Sequence, residues 1–194
     1  MGLTVMIVGL VAFLGIHAFV TCREQRAQVI ARYGEGPYKL GFSLVSALGL
    51  ALIVYGFARY RATGWIDVWF PPPWTRHVAV ALTLPAVVFV VAAYIPGHIK
   101  RALKHPMLAG VKLWALAHLI ANGDLGSIIL FGSILAWAVY DRISLKHRTD
   151  PGAPPIPVSG WRNDAVAIVV GVLAYLALGL FFHPWVIGVP AFKA

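Results

Sequence analysis

The chain has 194 residues, of which 60% are hydrophobic and only 12% are charged, and its formal net charge is +9. A soluble domain carries about twice that charged fraction, so the composition predicts an integral membrane protein folded as one domain over residues 1–194. The basic residues cluster at the ends of apolar runs, which is typical of membrane topology and excludes a nucleic-acid groove. The one cysteine, Cys22, excludes an internal disulfide and a cysteine-rich metal site.

Six apolar runs are long enough, or nearly so, to cross a bilayer as helices. We expect the first to be a retained helix, because no basic region precedes it and no small-residue cleavage site follows it. Only Asn122-Gly123-Asp124 separates the short fourth and fifth runs, so these should form a tight hairpin in which Asp124 caps the second helix. The fold class is therefore an all-α bundle of about six transmembrane helices, over residues 2–21, 38–58, 75–95, 106–122, 125–140 and 164–189.

The distribution of basic residues predicts the orientation of these helices. Four basic residues lie on one side of the membrane, against eleven on the other, and the four are Arg59, Arg61, Arg76 and Lys193. Because positively charged loops stay in the cytoplasm, we expect both termini on the outer, periplasmic side and a stiff Pro-rich cytoplasmic linker over residues 150–157. The opposite side carries eleven, namely Arg23, Arg26, Arg32, Lys39, Lys100, Arg101, Lys104, Arg142, Lys146, Arg148 and Arg162.

One histidine, His17, lies inside the first span. Its helical neighbours are Leu10, Phe13, Leu14, Val20 and Thr21, and no acidic residue in that span can pair with it. Ionisable groups inside a membrane are costly and by default mark a functional site. Two interpretations stay open: His17 is an axial ligand of haem iron, for which imidazole is the usual choice, or it hydrogen-bonds a carbonyl of another helix.

A second histidine, His118, lies inside the fourth span. Trp114 and Asn122 lie one helical turn before and after it, on the same face. An aromatic ring, an imidazole and an amide on one face indicate a cofactor pocket, in which a neighbouring group fixes the imidazole tautomer. The alternative is an interhelical hydrogen-bonding cluster, worth about 1 kcal/mol in a membrane.

Two further histidines flank this site in the sequence. His105 precedes His118 by thirteen residues, so the two lie about 220° apart around the helix and face nearly opposite ways. His105 instead shares a face with Lys112, where the pair would suit a lipid phosphate or a haem propionate, or would only anchor the helix at the surface. His183, near the outer end of the last span, is predicted to be an interfacial anchor and a reserve metal ligand at a depth close to that of His118.

A set of short motifs closely resembles the NnrU family over nearly the whole chain, with His17 in the expected place. Its members are bacterial inner-membrane proteins linked to nitrite and nitric oxide reduction in denitrifiers. They are distantly similar to the haem b-dependent cis-zeta-carotene isomerase of plastids. The motifs are Pro96-Gly97-His98, Lys104-His105-Pro106, Gly110, Leu113-Trp114, His118, Asn122-Gly123-Asp124 and Phe131-Gly132.

The resemblance implies that the chain binds haem b with His17 and His118 as axial ligands. Their predicted depths differ by roughly 12–14 Å at about 1.5 Å per residue. Two ligands of one iron need similar depths, which helix tilt or a hairpin turn sunk into the bilayer would partly supply. Otherwise His118 pairs with His183, or the haem is five-coordinate.

Three functions stay open at this point. The first is a haem protein that supports a nitric oxide or nitrite reductase system by a redox, sensing or assembly role. The second is a haem-dependent isomerase or quinone-linked oxidoreductase, because Trp114, Ala115 and Gly123 near His118 could admit a flat lipophilic molecule. The third is a cofactor-free scaffold for a membrane reductase.

Overall fold

A computed structural model describes residues 1–148 and 160–192, so the predicted linker over residues 150–157 lies outside the described residues, as does Lys193. The described helices are α1 (Gly2–Phe19), α2 (Arg23–Tyr33), α3 (Glu35–Ala62), α4 (Trp74–Tyr94), α5 (His98–Leu103), α6 (Pro106–Ala121), α7 (Leu125–Lys146) and α8 (Trp161–Ala177), and a π-helix (Leu178–Ile187) continues α8.

The helical membrane character of the chain is confirmed. In the described ranges, five helices are long and apolar enough to cross a bilayer: α1, α3, α4, α7 and the continuous Trp161–Ile187. The remaining predicted span, the fourth, is α6, a shorter apolar helix of 16 residues. The count of six spans, the orientation of the termini and the single domain stay predictions.

Two helices lie where the sequence predicted loops. The segment after the first span forms α2, an 11-residue polar helix, because Arg, Glu, Gln and Ala all favour helix. The short helix α5 likewise follows the third span. The membrane helices also continue past their apolar runs, since α7 extends from the predicted residue 140 to Lys146 through polar residues.

The helices group into two compact units, the first made of residues Met1–Trp69 and Asp124–Ser144. Within it α1 and α3 run antiparallel with their backbones in close contact, because glycines leave no side chain between them. A Cβ atom at Gly9 would lie 2.7 Å from the Ile53 nitrogen, and one at Gly49 would lie 2.8 Å from the Phe13 nitrogen. Small residues at such crossings are typical of helix pairs in membranes.

A buried tyrosine at the end of α3 holds the start of α7 within this unit. The Tyr60 hydroxyl oxygen accepts hydrogen bonds from the backbone N–H groups of Ile66 at 3.0 Å and Gly126 at 3.2 Å. The predicted cap of α7 is confirmed, since the Asp124 carboxylate accepts from the Ser127 N–H at 2.9 Å.

Replacing Tyr60 with Phe should destabilise the first unit, because the buried N–H of Gly126 and the part-buried N–H of Ile66 would both lose their acceptor. Tyr60 is 4% exposed, so we expect a loss of about 1–3 kcal/mol in the free energy of unfolding. The control is Tyr55→Phe on the same helix, where the side chain is 60% exposed. Unfolding of the detergent-solubilised protein by SDS, followed by circular dichroism, measures both. Equal stability of the two variants would contradict the role of the Tyr60 hydroxyl.

The second unit is made of residues Phe70–Gly123 and Leu145–Ala194, and α4 lies at its centre. The helix α6 packs on α4 at Gly110, where a Cβ atom would lie 2.6 Å from the Ala86 carbonyl oxygen. The helix α8 packs on another face of α4 at Gly171, where a Cβ atom would lie 2.8 Å from the Val88 Cα. Both outer helices are therefore fixed against one central helix.

An aspartate joins the ends of two helices in the second unit through hydrogen bonds. The Asp164 carboxylate accepts hydrogen bonds from the backbone N–H groups of His98 at 3.0 Å and Ile99 at 2.9 Å. The His98 imidazole also lies 2.9 Å from it through Nδ1. The first turn of α8 is thus joined to the start of α5, which fixes where α8 begins.

Candidate functional site

His118 lies in the last turn of α6, and its ring is held by its own helix. The imidazole Nδ1 lies 2.9 Å from the Trp114 carbonyl oxygen one turn earlier. A carbonyl only accepts, so Nδ1 carries the hydrogen and Nε2 carries the lone pair. This is the tautomer in which a histidine binds a metal through Nε2, and the same kind of hydrogen bond orients metal-binding imidazoles generally.

The π-helix brings a second imidazole to His118 within the same unit. The ring centres of His118 and His183 lie 6.2 Å apart. The helix carrying His183 is fixed on α4 through Gly171 and through the Tyr175 hydroxyl, which donates to the Val80 carbonyl oxygen at 3.2 Å. The reserve ligand named from the sequence is therefore the histidine that the structure places beside His118.

The chain turns back after the π-helix and packs against it. Gly188 has φ +76°, a left-handed conformation that suits glycine and ends the helix. Phe192 then lies against Tyr175, with ring centres 5.3 Å apart. Gly179 leaves the space for this ring, since a Cβ atom there would collide with Phe192. The returning segment thus supports the helix that presents His183.

Trp114 contacts the imidazole of His118, whereas Asn122 contacts its backbone. The Trp114 ring lies beside the imidazole, with ring centres 5.0 Å apart, as the shared helical face predicted. The Asn122 amide instead donates to the backbone carbonyl of His118 at 2.8 Å and so closes the end of α6. The neighbour that fixes the imidazole tautomer is the Trp114 carbonyl.

His17 has different surroundings, in the first unit. Its Nδ1 lies 2.7 Å from the Phe13 carbonyl oxygen, so it has the same tautomer as His118. Three aromatic rings surround it, with ring centres at 4.3 Å for Phe13, 5.1 Å for Phe42 and 5.6 Å for Trp137. Because His17 and His118 belong to different units, their predicted pairing stays a prediction.

His105 lies at the opposite end of α6 from His118, and Lys112 lies near the middle of the helix. His105 precedes the helix, and its carbonyl accepts from the Ala109 N–H at 3.1 Å, which leaves Pro106 as the first helical residue as predicted. Both His105 and Lys112 are half-buried. An anion held by the pair stays a prediction.

The number of metal-binding side chains that lie together in the described ranges is relevant to which metal centre the protein could hold. There, no group of three or more His, Cys, Asp and Glu residues is placed to hold a metal ion. A metal held by side chains alone usually has three or four protein ligands, whereas a porphyrin supplies four nitrogens and asks the protein for one or two. His118 and His183 bring two imidazole donors close together, which is a number of ligands that a porphyrin-bound iron takes from a protein.

The sequence missed the aromatic rings that α3 and α7 bring to His17. Phe13 was detectable, because it precedes His17 by four residues and so shares its helical face. Phe42 and Trp137 come from distant parts of the chain, and no periodicity within one helix indicates them.

Comparison with known proteins identifies one family. The family model described as NnrU protein matches residues 5–191, nearly the whole chain. A search of curated proteins and a search of solved structures each found no match.

Proposed function

The chain belongs to the NnrU family, and from this premise we propose that it is a haem b-binding protein of the bacterial inner membrane that supports nitrite and nitric oxide reduction. The observation that carries the proposal is the 6.2 Å separation of the His118 and His183 ring centres. An imidazole nitrogen binds a metal at about 2 Å. Two rings at this separation are close enough that both would hold one iron through a ring nitrogen.

In this proposal His118 is the principal ligand. Its Nδ1–H donates to the Trp114 carbonyl, which orients the ring and makes Nε2 a better donor to a metal. Trp114 lies beside the imidazole as a flat apolar wall that suits a planar macrocycle and keeps water away. His183 is the second ligand, on a helix that α4 and the returning segment hold in place.

Haem b, when bound, supplies a one-electron redox centre, or a gas-binding iron where only one histidine ligates it. The family resemblance instead implies His17 as the second ligand. The proposal needs His118 in either case. The identity of its partner is a separate matter, and experiment can address it by the ligand variants described in the Discussion.

The absorption spectrum of the full-length protein, purified in detergent, tests the proposal. We expect a Soret band, and a pyridine haemochrome spectrum of the b type, either as purified or after haem is added. An electron paramagnetic resonance spectrum of the oxidised protein should be low-spin, because two imidazoles give a strong ligand field. A protein with no Soret band even after reconstitution would contradict haem binding and favour a cofactor-free scaffold.

A further inference from the structure

Two cavities lie where the end of α1, the polar helix α2 and the start of α3 meet, within the first unit. They have volumes of about 330 Å³ and 300 Å³, at the lower end of the range for ligand pockets. Tyr38 and Phe42 line both cavities and form a ridge between them. On α3, Lys39 and Ser43 lie on one side of this ridge and line the larger cavity, and Gly41 lies on the other side and lines the smaller one.

Two residues that line the larger cavity carry buried hydrogen-bond donors without a partner among the described residues. Arg26 Nε and the Tyr38 hydroxyl are both buried, and neither has a hydrogen-bond partner among the described residues. The Arg26 guanidinium lies 5.5 Å from the centre of the Tyr38 ring, so the two donors belong to one cluster. Buried donors without acceptors are costly, and a ligand with anionic oxygens would satisfy both.

The charges around this cluster favour an anion. Arg26 and Lys39 line the larger cavity. Glu35 pairs with Lys39 at 2.8 Å. Arg26 attracts the same carboxylate more weakly, from beyond ion-pair distance. Arginine also matches the oxygens of phosphate in geometry better than lysine does.

The smaller cavity is apolar, and its residues lie where the membrane-spanning part of α3 begins. It is lined mainly by aliphatic and aromatic side chains, among them Ile16, Phe19, Val29 and Val45. A basic, tyrosine-containing site directly beside an apolar one is the arrangement expected at the boundary between lipid head groups and acyl chains.

We propose that the two cavities bind one anionic phospholipid, with its phosphate at Arg26 and Tyr38 and an acyl chain in the smaller cavity. The proposal does not rest on the pair of His118 and His183, since none of these residues belongs to the unit that carries that pair. It predicts a specific lipid that stays with the protein through purification, beyond the general layer of bilayer lipid.

Native mass spectrometry of the full-length protein, released from detergent, tests this site. The protein is mixed with equal amounts of phosphatidylglycerol, which is anionic, and phosphatidylcholine, which is zwitterionic. We expect preferential retention of one phosphatidylglycerol molecule, and about a tenfold loss of that retention in Arg26→Gln, because a charge-assisted hydrogen bond is lost. Tyr38→Phe removes only the hydroxyl and should give a smaller loss in the same direction.

Arg32→Gln is the matched control, because Arg32 lies on the same helix, carries the same charge and lines neither cavity. It should retain phosphatidylglycerol as the wild type does. Unchanged retention in Arg26→Gln, or an equal loss in Arg32→Gln, would overturn the site. Helicity measured by circular dichroism excludes misfolding as the cause of any loss.

A second pair of variants separates a lipid from a free anion. No heavy atom lies within 4 Å of a Cβ atom built at Gly41 or at Gly36, so a side chain begins in open space at either position. Gly41→Leu fills the apolar cavity and should weaken lipid retention, whereas Gly36→Leu, outside both cavities, should not. Inorganic phosphate should not displace the lipid. Displacement by phosphate, together with normal lipid retention in Gly41→Leu, would assign the site to a soluble anion and overturn the lipid.

Discussion

Replacing His118 with Ala should lower the haem b content of the purified protein by at least about tenfold. Loss of a hydrogen-bond partner next to a metal ligand already costs about 10–100-fold in metal affinity, and loss of the ligand itself should cost more. The effect should be large because His118 is a ligand in the proposed pair with His183 and also in the pair with His17 that the family resemblance implies. The pyridine haemochrome assay, normalised to protein concentration, measures the haem content.

The control is His77→Ala, which removes an exposed imidazole from α4 in the same unit. This variant should keep the haem content of the wild type. A second measurement separates ligand loss from misfolding: in His118→Gly, added imidazole should restore the Soret band, because the small molecule can occupy the space of the missing ring. Full haem content in His118→Ala would rule out His118 as the principal ligand.

The spin state of the iron then identifies the second ligand. In His183→Ala we expect haem to remain bound but to become five-coordinate and high-spin, whereas His17→Ala should keep the low-spin spectrum of the wild type. This expectation follows from the 6.2 Å separation of the His118 and His183 rings. The opposite result, a high-spin signal only in His17→Ala, would favour the pairing that the family resemblance implies.

The membrane helices were predictable because bilayer thickness sets the length of an apolar run. The polar helices were not predictable in this way, because hydropathy gives no signal for a polar segment such as Arg23–Tyr33. Helix propensity and tertiary contacts decide whether such a segment is helical. The cap at Asp124 was predictable for the opposite reason, since it depends only on residues within one helical turn.

The candidate site was likewise predictable only in part. The face shared by Trp114 and His118 follows from helical periodicity, and the structure has it. The contact between His118 and His183 depends on how α6 and α8 pack on α4, and on a π-helix in which the i to i+5 spacing changes which residues share a face. Neither is visible in a single sequence, so His183 could be named only as a reserve ligand, from its depth.

Replacing Gly9 with Ala should produce a large loss of stability in the first unit. A Cβ atom at Gly9 would lie 2.7 Å from the Ile53 nitrogen and 2.8 Å from the Gly49 carbonyl oxygen. Both are backbone atoms of α3, so the clash cannot be relieved by rotating a side chain and α1 must move away along its length. We expect the free energy of unfolding to fall by about 1–3 kcal/mol, as overpacking in a close-packed interior does.

Gly15→Ala on the same helix is the matched control, because no heavy atom lies within 4 Å of a Cβ atom there. Both substitutions gain up to about 1 kcal/mol from the higher helix propensity of Ala. Any difference between the two variants therefore reports the contact of α1 with α3. Denaturation with SDS, followed by circular dichroism, should show Gly15→Ala at least as stable as the wild type and Gly9→Ala clearly less stable. If both variants were stabilised alike, the close approach of the two backbones at Gly9 would not exist in the folded protein.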